Sequence, residues 1–213
     1  MPKVAVVLAG CGRMDGSEVH ESTLSLLYLA KGAAAYQCFA PDEPQAAVVN
    51  HVTQKPTSES RNQMVEAGRI ARGDVKPLSE ANPAEFDALV VPGGNGAFKN
   101  LGKGPGEVHP ELRRLLVAMA DAKKPIAAIC IAPVLVARAL GSRGVQLTIG
   151  NDAECAAMIE KTGAKHVVCA VEGCVTDETH KIVSTPAYML GPGIAQVAAG
   201  IEVCIGALLR WCA

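Results

Sequence analysis

The chain has 213 residues, of which 49% are hydrophobic, and its 20 basic and 21 acidic residues leave a formal net charge of −1. One substantial core fits this length, so we expect a single domain over residues 1–213. Scattered basic residues and the lack of a bilayer-length apolar run exclude a basic nucleic-acid interface and a membrane span. The sequence enters a strand directly after Met-Pro-Lys, so a cytoplasmic location is expected, although a leader removed from a longer precursor would leave no trace.

The first strand is predicted over residues 4–9 and the first helix over residues 18–31, with a glycine-rich loop between them. Gly10 and Gly12 match the start of a dinucleotide-binding fingerprint, but Asp15 occupies the third glycine position and would place negative charge near a pyrophosphate. No nucleotide cofactor is therefore expected. Asp15 and Glu18 have the spacing of a capping box, so Glu18 either stabilises the helix start or leans toward the sheet edge.

Strands and helices alternate through the rest of the chain. Further strands are predicted at 35–40, 86–91, 145–149, 165–171 and 182–184 and in the apolar run that ends at Cys130, with a short strand or hairpin at 46–53. Helices are predicted at 59–67, 111–122, after Cys130, at 152–162 and after Pro186. This order predicts an α/β fold with a mostly parallel sheet and helices on both faces. Ligands in such folds lie at the carboxyl ends of the strands.

Cys130 lies where a short apolar strand changes into a helix. Small residues, Ala128 and Ala132, flank it two positions away on each side, and Pro133 is placed for a first helical turn. This pattern is typical of a nucleophile elbow, which presents its central side chain at the sheet edge beside a helix N-terminus. The positive end of the helix favours a thiolate, although cysteine is often only a small buried hydrophobe.

The paired glycines that follow the strand at 86–91 predict a second part of the same site. Gly93 and Gly94 leave backbone N–H groups free to face a ligand, so the amide of Gly94 and that of Ile131 are expected to form an oxyanion hole. A simple tight turn is the alternative. The eight cysteines have irregular spacing and are expected to be reduced, and the group His166, Cys169 and Cys174 fits no common zinc module, so no metal is expected.

Several motifs in combination resemble the ThiJ/PfpI superfamily, and most of all its ElbB-type glyoxalases, also called enhancing lycopene biosynthesis or sigma-cross-reacting proteins. The motifs are residues 10–12, 15–21, 91–94, 99–101, 130–133 and 185–189. The resemblance implies a flavodoxin-like three-layer α/β fold, usually dimeric, with Cys130 as nucleophile and Glu18 as the neighbouring acid. Gly-Gly-Asn-Gly at 93–96 departs from the Gly-Gly-Phe-Gly common in that family, which changes the expected polarity of the pocket.

The histidines decide between the reactions known in this superfamily. After Cys130 only His166 and His180 occur, and neither forms the His-x-Glu pair of class I amidotransferases. The peptidases carry histidine directly after the cysteine, where this chain has Ile131. His20, His51 and His109 are remote candidates for a base.

A thiol with a carboxyl partner suits a reactive electrophile. The expected activity is therefore a cofactor-independent, glutathione-independent conversion of glyoxal or methylglyoxal to a 2-hydroxy acid, through a Cys130 hemithioacetal with Glu18 as proton shuttle. The expected partners are this small 2-oxoaldehyde and a second copy of the chain. The alternatives are a redox-sensing or regulatory protein with an oxidisable Cys130, or a degenerate amidotransferase-like subunit linked to isoprenoid metabolism.

Overall fold

The computed structural model describes residues 1–212 and contains strands, α-helices and short 3₁₀ turns. The strands are β1 (Lys3–Val7), β2 (Ala35–Ala40), β3 (Val49–Asn50), β4 (Lys55–Pro56), β5 (Val75–Pro77), β6 (Ala88–Val91), β7 (Ile126–Ile129), β8 (Gln146–Leu147), β9 (Lys165–His166), β10 (Val175–Asp177) and β11 (Ile182–Thr185). The helices are α1 (Val19–Lys31), α2 (Gln63–Ile70), α3 (Asn95–Gly102), α4 (Pro110–Asp121), α5 (Ala132–Leu140), α6 (Ala153–Glu160) and α7 (Ile194–Arg210).

Seven of these strands form the central sheet, in the order β10-β11-β7-β6-β1-β2-β5. All neighbours are parallel except β10, which pairs antiparallel with β11 at the edge. Strands β1, β6 and β7 lie next to one another, so the loops that follow them meet at one edge of the sheet. This arrangement brings the glycine-rich loop, the paired glycines and Cys130 together.

The sheet is covered on both faces, which gives the predicted flavodoxin-like three-layer fold. Alternate side chains of β1 enter different cores, because Ala5 and Val7 pack on the face covered by α3, α4, α5 and α6. Val4 and Val6 pack on the other face, against α1, α2 and α7. Since β6 and β7 are buried along their whole length, both consist of apolar residues without a polar alternation.

Most predicted elements are present, with differences where polar segments carry short elements. The predicted strand at 165–171 is limited to β9, and helix α3 and the edge strand β5 were not predicted. Asp15 does not cap α1, because Glu18 is the N-cap residue and accepts a hydrogen bond from the backbone amide of Glu21 at 2.8 Å. Asp15 is buried instead and accepts a hydrogen bond from the amide of Val49 at 2.8 Å. Among residues 1–212, no helix combines the length and the apolar character that a membrane crossing requires.

Candidate active site

Cys130 occupies the sharp turn between β7 and α5. Its φ angle is +61°, in the left-handed region that non-glycine residues seldom adopt, and its backbone amide donates to the carbonyl oxygen of Thr185 in β11 at 2.9 Å. Pro133 lies in the first turn of α5, as the sequence predicted. The residue is only 7% exposed, but it lines a cleft at the carboxyl edge of the sheet. Strain of this kind at a cleft is typical of functional sites.

The carboxyl group that interacts with the Cys130 thiol belongs to Glu21, which, after burial, raises the pKa of the thiol through its charge and as a hydrogen-bond acceptor. Glu21 is fully buried, and backbone amides orient both of its oxygens. Oε2 accepts from the amide of Gly93 at 3.1 Å, and Oε1 accepts from the amide of Tyr188 at 3.2 Å. Two separate segments, the loop after β6 and the turn after β11, therefore hold this one carboxyl group in place beside Cys130.

Glu18, the acid selected from the sequence, does not make this contact. It lines the same cleft, but its carboxylate caps α1, and the hydrogen bond to the thiol comes from the acid one turn further along the helix. The sequence held a signal for Glu21, which lies on the same helical face as Ser25 and Leu29, four and eight residues later. All three are fully buried, so this face of α1 points toward the sheet.

Against the larger effect of burial, the backbone amides of Gly94 and Ile131 each lower the pKa of the Cys130 thiol, so both lie close to the sulfur. The structure thus brings together the two amides that the sequence selected for an oxyanion hole, here around the sulfur itself. Gly94 has a φ of +111°, a conformation that favours glycine. A side chain at Gly93 would place its Cβ 2.6 Å from Cys130 Cβ and 2.7 Å from Glu21 Oε2, so the site requires glycine there.

Burial has a large effect on the ionisation of both groups. Burial, together with the charge of Glu18, raises the pKa of Glu21 to about 8, against the opposing hydrogen bonds from Cys130, Tyr188 and Gly93. Burial and then the charge of Glu21 raise the pKa of Cys130 above that of a free thiol, and the two amides only partly oppose this. The helix N-terminus was expected to favour the thiolate, but the effect of burial is larger. Both groups therefore hold their protons at neutral pH.

The cleft has a volume of about 660 Å³ and is lined by polar and apolar side chains. His20 lies at this cleft, and its Nδ1 is 2.7 Å from the hydroxyl oxygen of Tyr188. The other four histidines take part in other contacts. His51 lies against Asp15, His109 against Glu43 and His180 against Asp177, and His166 Nε2 accepts from the amide of Ile149 at 3.4 Å. Within residues 1–212, histidine, cysteine and acidic side chains form no cluster suited to a metal ion, and all eight cysteines are free.

This geometry agrees with the comparisons with known proteins. The model of the DJ-1/PfpI family matches residues 42–187. The chain belongs to the DJ-1/PfpI family. A crystal structure of an isoprenoid biosynthesis protein with an amidotransferase-like domain from Ehrlichia chaffeensis superimposes with a TM-score of 0.95 at 38% identity, covering 99% of each chain. The ThiJ/PfpI superfamily and the amidotransferase-like fold predicted from the sequence are confirmed.

Two relatives of this DJ-1/PfpI protein correct the expected location. The human glutamine amidotransferase-like class 1 domain-containing protein 3, mitochondrial, is 41% identical over 98% of this chain and 81% of its own length. The ES1 protein homolog, mitochondrial, of Rattus norvegicus is 39% identical over 98% of this chain and 83% of its own. Both names specify mitochondria, so the cytoplasmic location expected from the sequence is wrong.

Proposed function

We propose that the protein is a glutathione-independent glyoxalase that converts a 2-oxoaldehyde to a 2-hydroxy acid, with Cys130 as nucleophile and Glu21 as proton shuttle. The observation that carries the proposal is the position of the buried Glu21 carboxyl group beside Cys130, which lines the cleft: a Cβ at Gly93 would lie 2.6 Å from Cys130 Cβ and 2.7 Å from Glu21 Oε2. Glu21 replaces Glu18 in this role because only Glu21 contacts the sulfur.

The reactive form is the state of the pair that has lost one proton. Its remaining proton moves along the hydrogen bond, so that the sulfur carries the charge while Glu21 stays protonated, and the amides of Gly94 and Ile131 stabilise the thiolate. The sulfur attacks the aldehyde carbon, and Glu21 protonates the new oxyanion to give a hemithioacetal. Glu21, now a carboxylate, is left beside the substrate as a base.

The second half of the reaction moves a proton between two carbons. The Glu21 carboxylate removes the proton from the carbon bonded to sulfur and leaves an enediolate. Glu21 then returns this proton to the neighbouring carbon, while the hydroxyl proton passes from the first oxygen to the second as the thioester carbonyl forms. The product is a thioester of Cys130, which water hydrolyses to the 2-hydroxy acid and the free thiol. The sum is aldehyde plus water to 2-hydroxy acid, so the reaction needs no oxidant, reductant or cofactor.

Two features of the chain disfavour the other reactions. Glutaminase chemistry uses a histidine base, whereas the partner of Cys130 is a carboxyl group. The histidine at the cleft, His20, instead forms a hydrogen bond with the hydroxyl group of Tyr188. A peroxide sensor needs a thiol with a low pKa, whereas burial and the charge of Glu21 raise the pKa of Cys130, and its reactive state depends on transfer of a proton to Glu21. The isoprenoid and amidotransferase terms in the relatives' names are compatible with loss of the ancestral glutaminase activity.

The test is consumption of methylglyoxal by the purified protein, with lactate identified as product. The reaction should stop in Cys130→Ala and persist in Cys174→Ala, a control thiol that does not line the cleft. Glutamine should not be hydrolysed by either protein. Equal turnover in the Cys130→Ala protein, or release of ammonia from glutamine by the wild type, contradicts the proposal.

A further inference from the structure

The cleft is much larger than a two-carbon or three-carbon substrate. Its volume of about 660 Å³ equals that of roughly twenty water molecules at ~30 Å³ each. Glyoxal and methylglyoxal have only a few non-hydrogen atoms and would leave most of this space filled with solvent. Sites of this volume usually hold ligands of drug-like size.

The lining indicates what fills the remaining space. Met14, Ile131, Cys155 and Met189 present apolar or weakly polar side chains to the same cleft as Cys130. Ile131 and Met189 also pack against the buried cores, so this wall has support behind it. Methionine side chains are unbranched and adapt to apolar groups of different shape.

We infer that the preferred substrates are 2-oxoaldehydes that carry a medium-length apolar chain, whose body lies against Met14, Ile131, Cys155 and Met189 while the aldehyde carbon meets Cys130. This inference rests on the proposed function, since it names the substrate class of the same site. Apolar surface of the substrate is removed from water along the wall, which increases binding in proportion to chain length.

The first experiment compares methylglyoxal, 2-oxohexanal and 2-oxooctanal as substrates of the full chain. We expect kcat/KM to rise roughly two- to fourfold for each added methylene, as burial of methylenes predicts. A flat or falling series overturns the inference, even when methylglyoxal is turned over and the proposed function stands.

A matched pair of variants tests whether the preference for long-chain aldehydes comes from the wall of the cleft. Met189→Gln should reduce the preference for 2-oxooctanal over methylglyoxal about fivefold or more, because it puts a polar amide in the apolar wall. Met158→Gln makes the same change at a methionine that is 40% exposed and does not line the cleft, so the preference should be that of the wild type. An equal effect of the two changes argues against the assigned wall.

A binding experiment separates failure of the inference from failure of the proposed function. The Cys130→Ala protein is titrated by calorimetry with glycolate and with 2-hydroxyoctanoate, which are products of short and long substrates. Tighter binding of 2-hydroxyoctanoate by tenfold or more supports the apolar wall as a binding surface. If no aldehyde is turned over, the glyoxalase reaction and the aldehyde group of the substrate are refuted, and the apolar wall stands. Equal affinity for the two acids overturns the inference.

Discussion

The carboxyl group of Glu21 lies beside Cys130, with both groups against Gly93, while Glu18, three residues earlier, caps the helix that carries Glu21. The two acids differ in burial, since Glu21 is fully buried behind Cys130 whereas Glu18 is only partly buried and lines the cleft. Their separate tasks follow from this difference and are open to direct test.

Replacing each acid by its amide should separate the two tasks. Glu21→Gln removes the group that moves protons, so kcat/KM for methylglyoxal should fall by ~10²–10⁴-fold. Glu18→Gln keeps a side-chain oxygen for the helix cap and should lower kcat/KM only a fewfold. Steady-state kinetics on both proteins measure these changes. An equally large fall of kcat/KM in Glu18→Gln and Glu21→Gln would contradict the assignment of proton transfer to Glu21 alone.

The alkylation of Cys130 should depend on pH in a way that Glu21 controls. Because the charge of Glu21 and its hydrogen bond both raise the pKa of the thiol, Glu21→Gln should move the midpoint of alkylation to lower pH. Iodoacetamide labelling followed by mass spectrometry of the Cys130 peptide measures this. Cys169 serves as the control within the same sample, because burial alone raises the pKa of its thiol. An unchanged Cys130 midpoint would mean that the two groups are not coupled.

The free energy of unfolding should fall as pH rises, because of Glu21. Its pKa is about 8 in the folded protein against an ordinary value of 4.5, so the folded state holds this proton more tightly than the unfolded state. The tighter binding of this proton adds to the free energy of unfolding. This contribution is complete below pH 4.5 and is lost as pH rises to 8, and its upper limit is roughly 5 kcal/mol.

Urea denaturation at several values between pH 5 and pH 8 tests this prediction. The wild type should lose stability over that range relative to Glu21→Gln, which has no proton to lose. Glu172→Gln, at an exposed acid, should follow the wild type. Parallel curves for the wild type and Glu21→Gln would show that Glu21 titrates as it does in the unfolded chain.

Two glycines in α7 should respond in opposite directions to the same substitution. At Gly206 a Cβ would meet only Arg210 Nη1, at 3.8 Å, so Gly206→Ala should stabilise the protein by ~0.5–1 kcal/mol through helix propensity. At Gly200 a Cβ would lie 2.1 Å from the carbonyl oxygen of Val171, so Gly200→Ala should destabilise it by ~1–3 kcal/mol. Urea midpoints measure both changes, and a stabilised Gly200→Ala protein would contradict this close packing.

The elbow could be predicted from the sequence because its determinants are local. An apolar strand, small flanking residues and Pro133 lie within a few positions of Cys130, and the same holds for the glycines after β6. The identity of the partner acid is not local, since it depends on how α1 is rotated about its axis. That rotation is set by the packing of residues such as Leu29 against the sheet, whereas Glu18 was selected through the resemblance of its motif to the family pattern.

The edge strand β5 was missed for a related reason. Its three residues include Lys76 and Pro77, so the segment shows no run or alternation of apolar residues. Such residues are tolerated because β5 pairs with the sheet along one side, through β2. Helix α3 was missed because it begins directly after Gly94, in a stretch whose glycines are typical of a loop. Gly96 is required there by tertiary contact, since a Cβ would meet the backbone nitrogen of Gly16 at 1.9 Å.

The left-handed backbone at Cys130 also limits which nucleophiles evolution or engineering can place at this position. A branched Cβ is strongly disfavoured at a φ of +61°, and the Cα of Gly93 lies against the Cβ of residue 130. Threonine is thereby ruled out as a replacement nucleophile, whereas serine meets the same steric demand as cysteine. Of these two hydroxyl residues, serine alone can therefore replace the thiol nucleophile at this elbow.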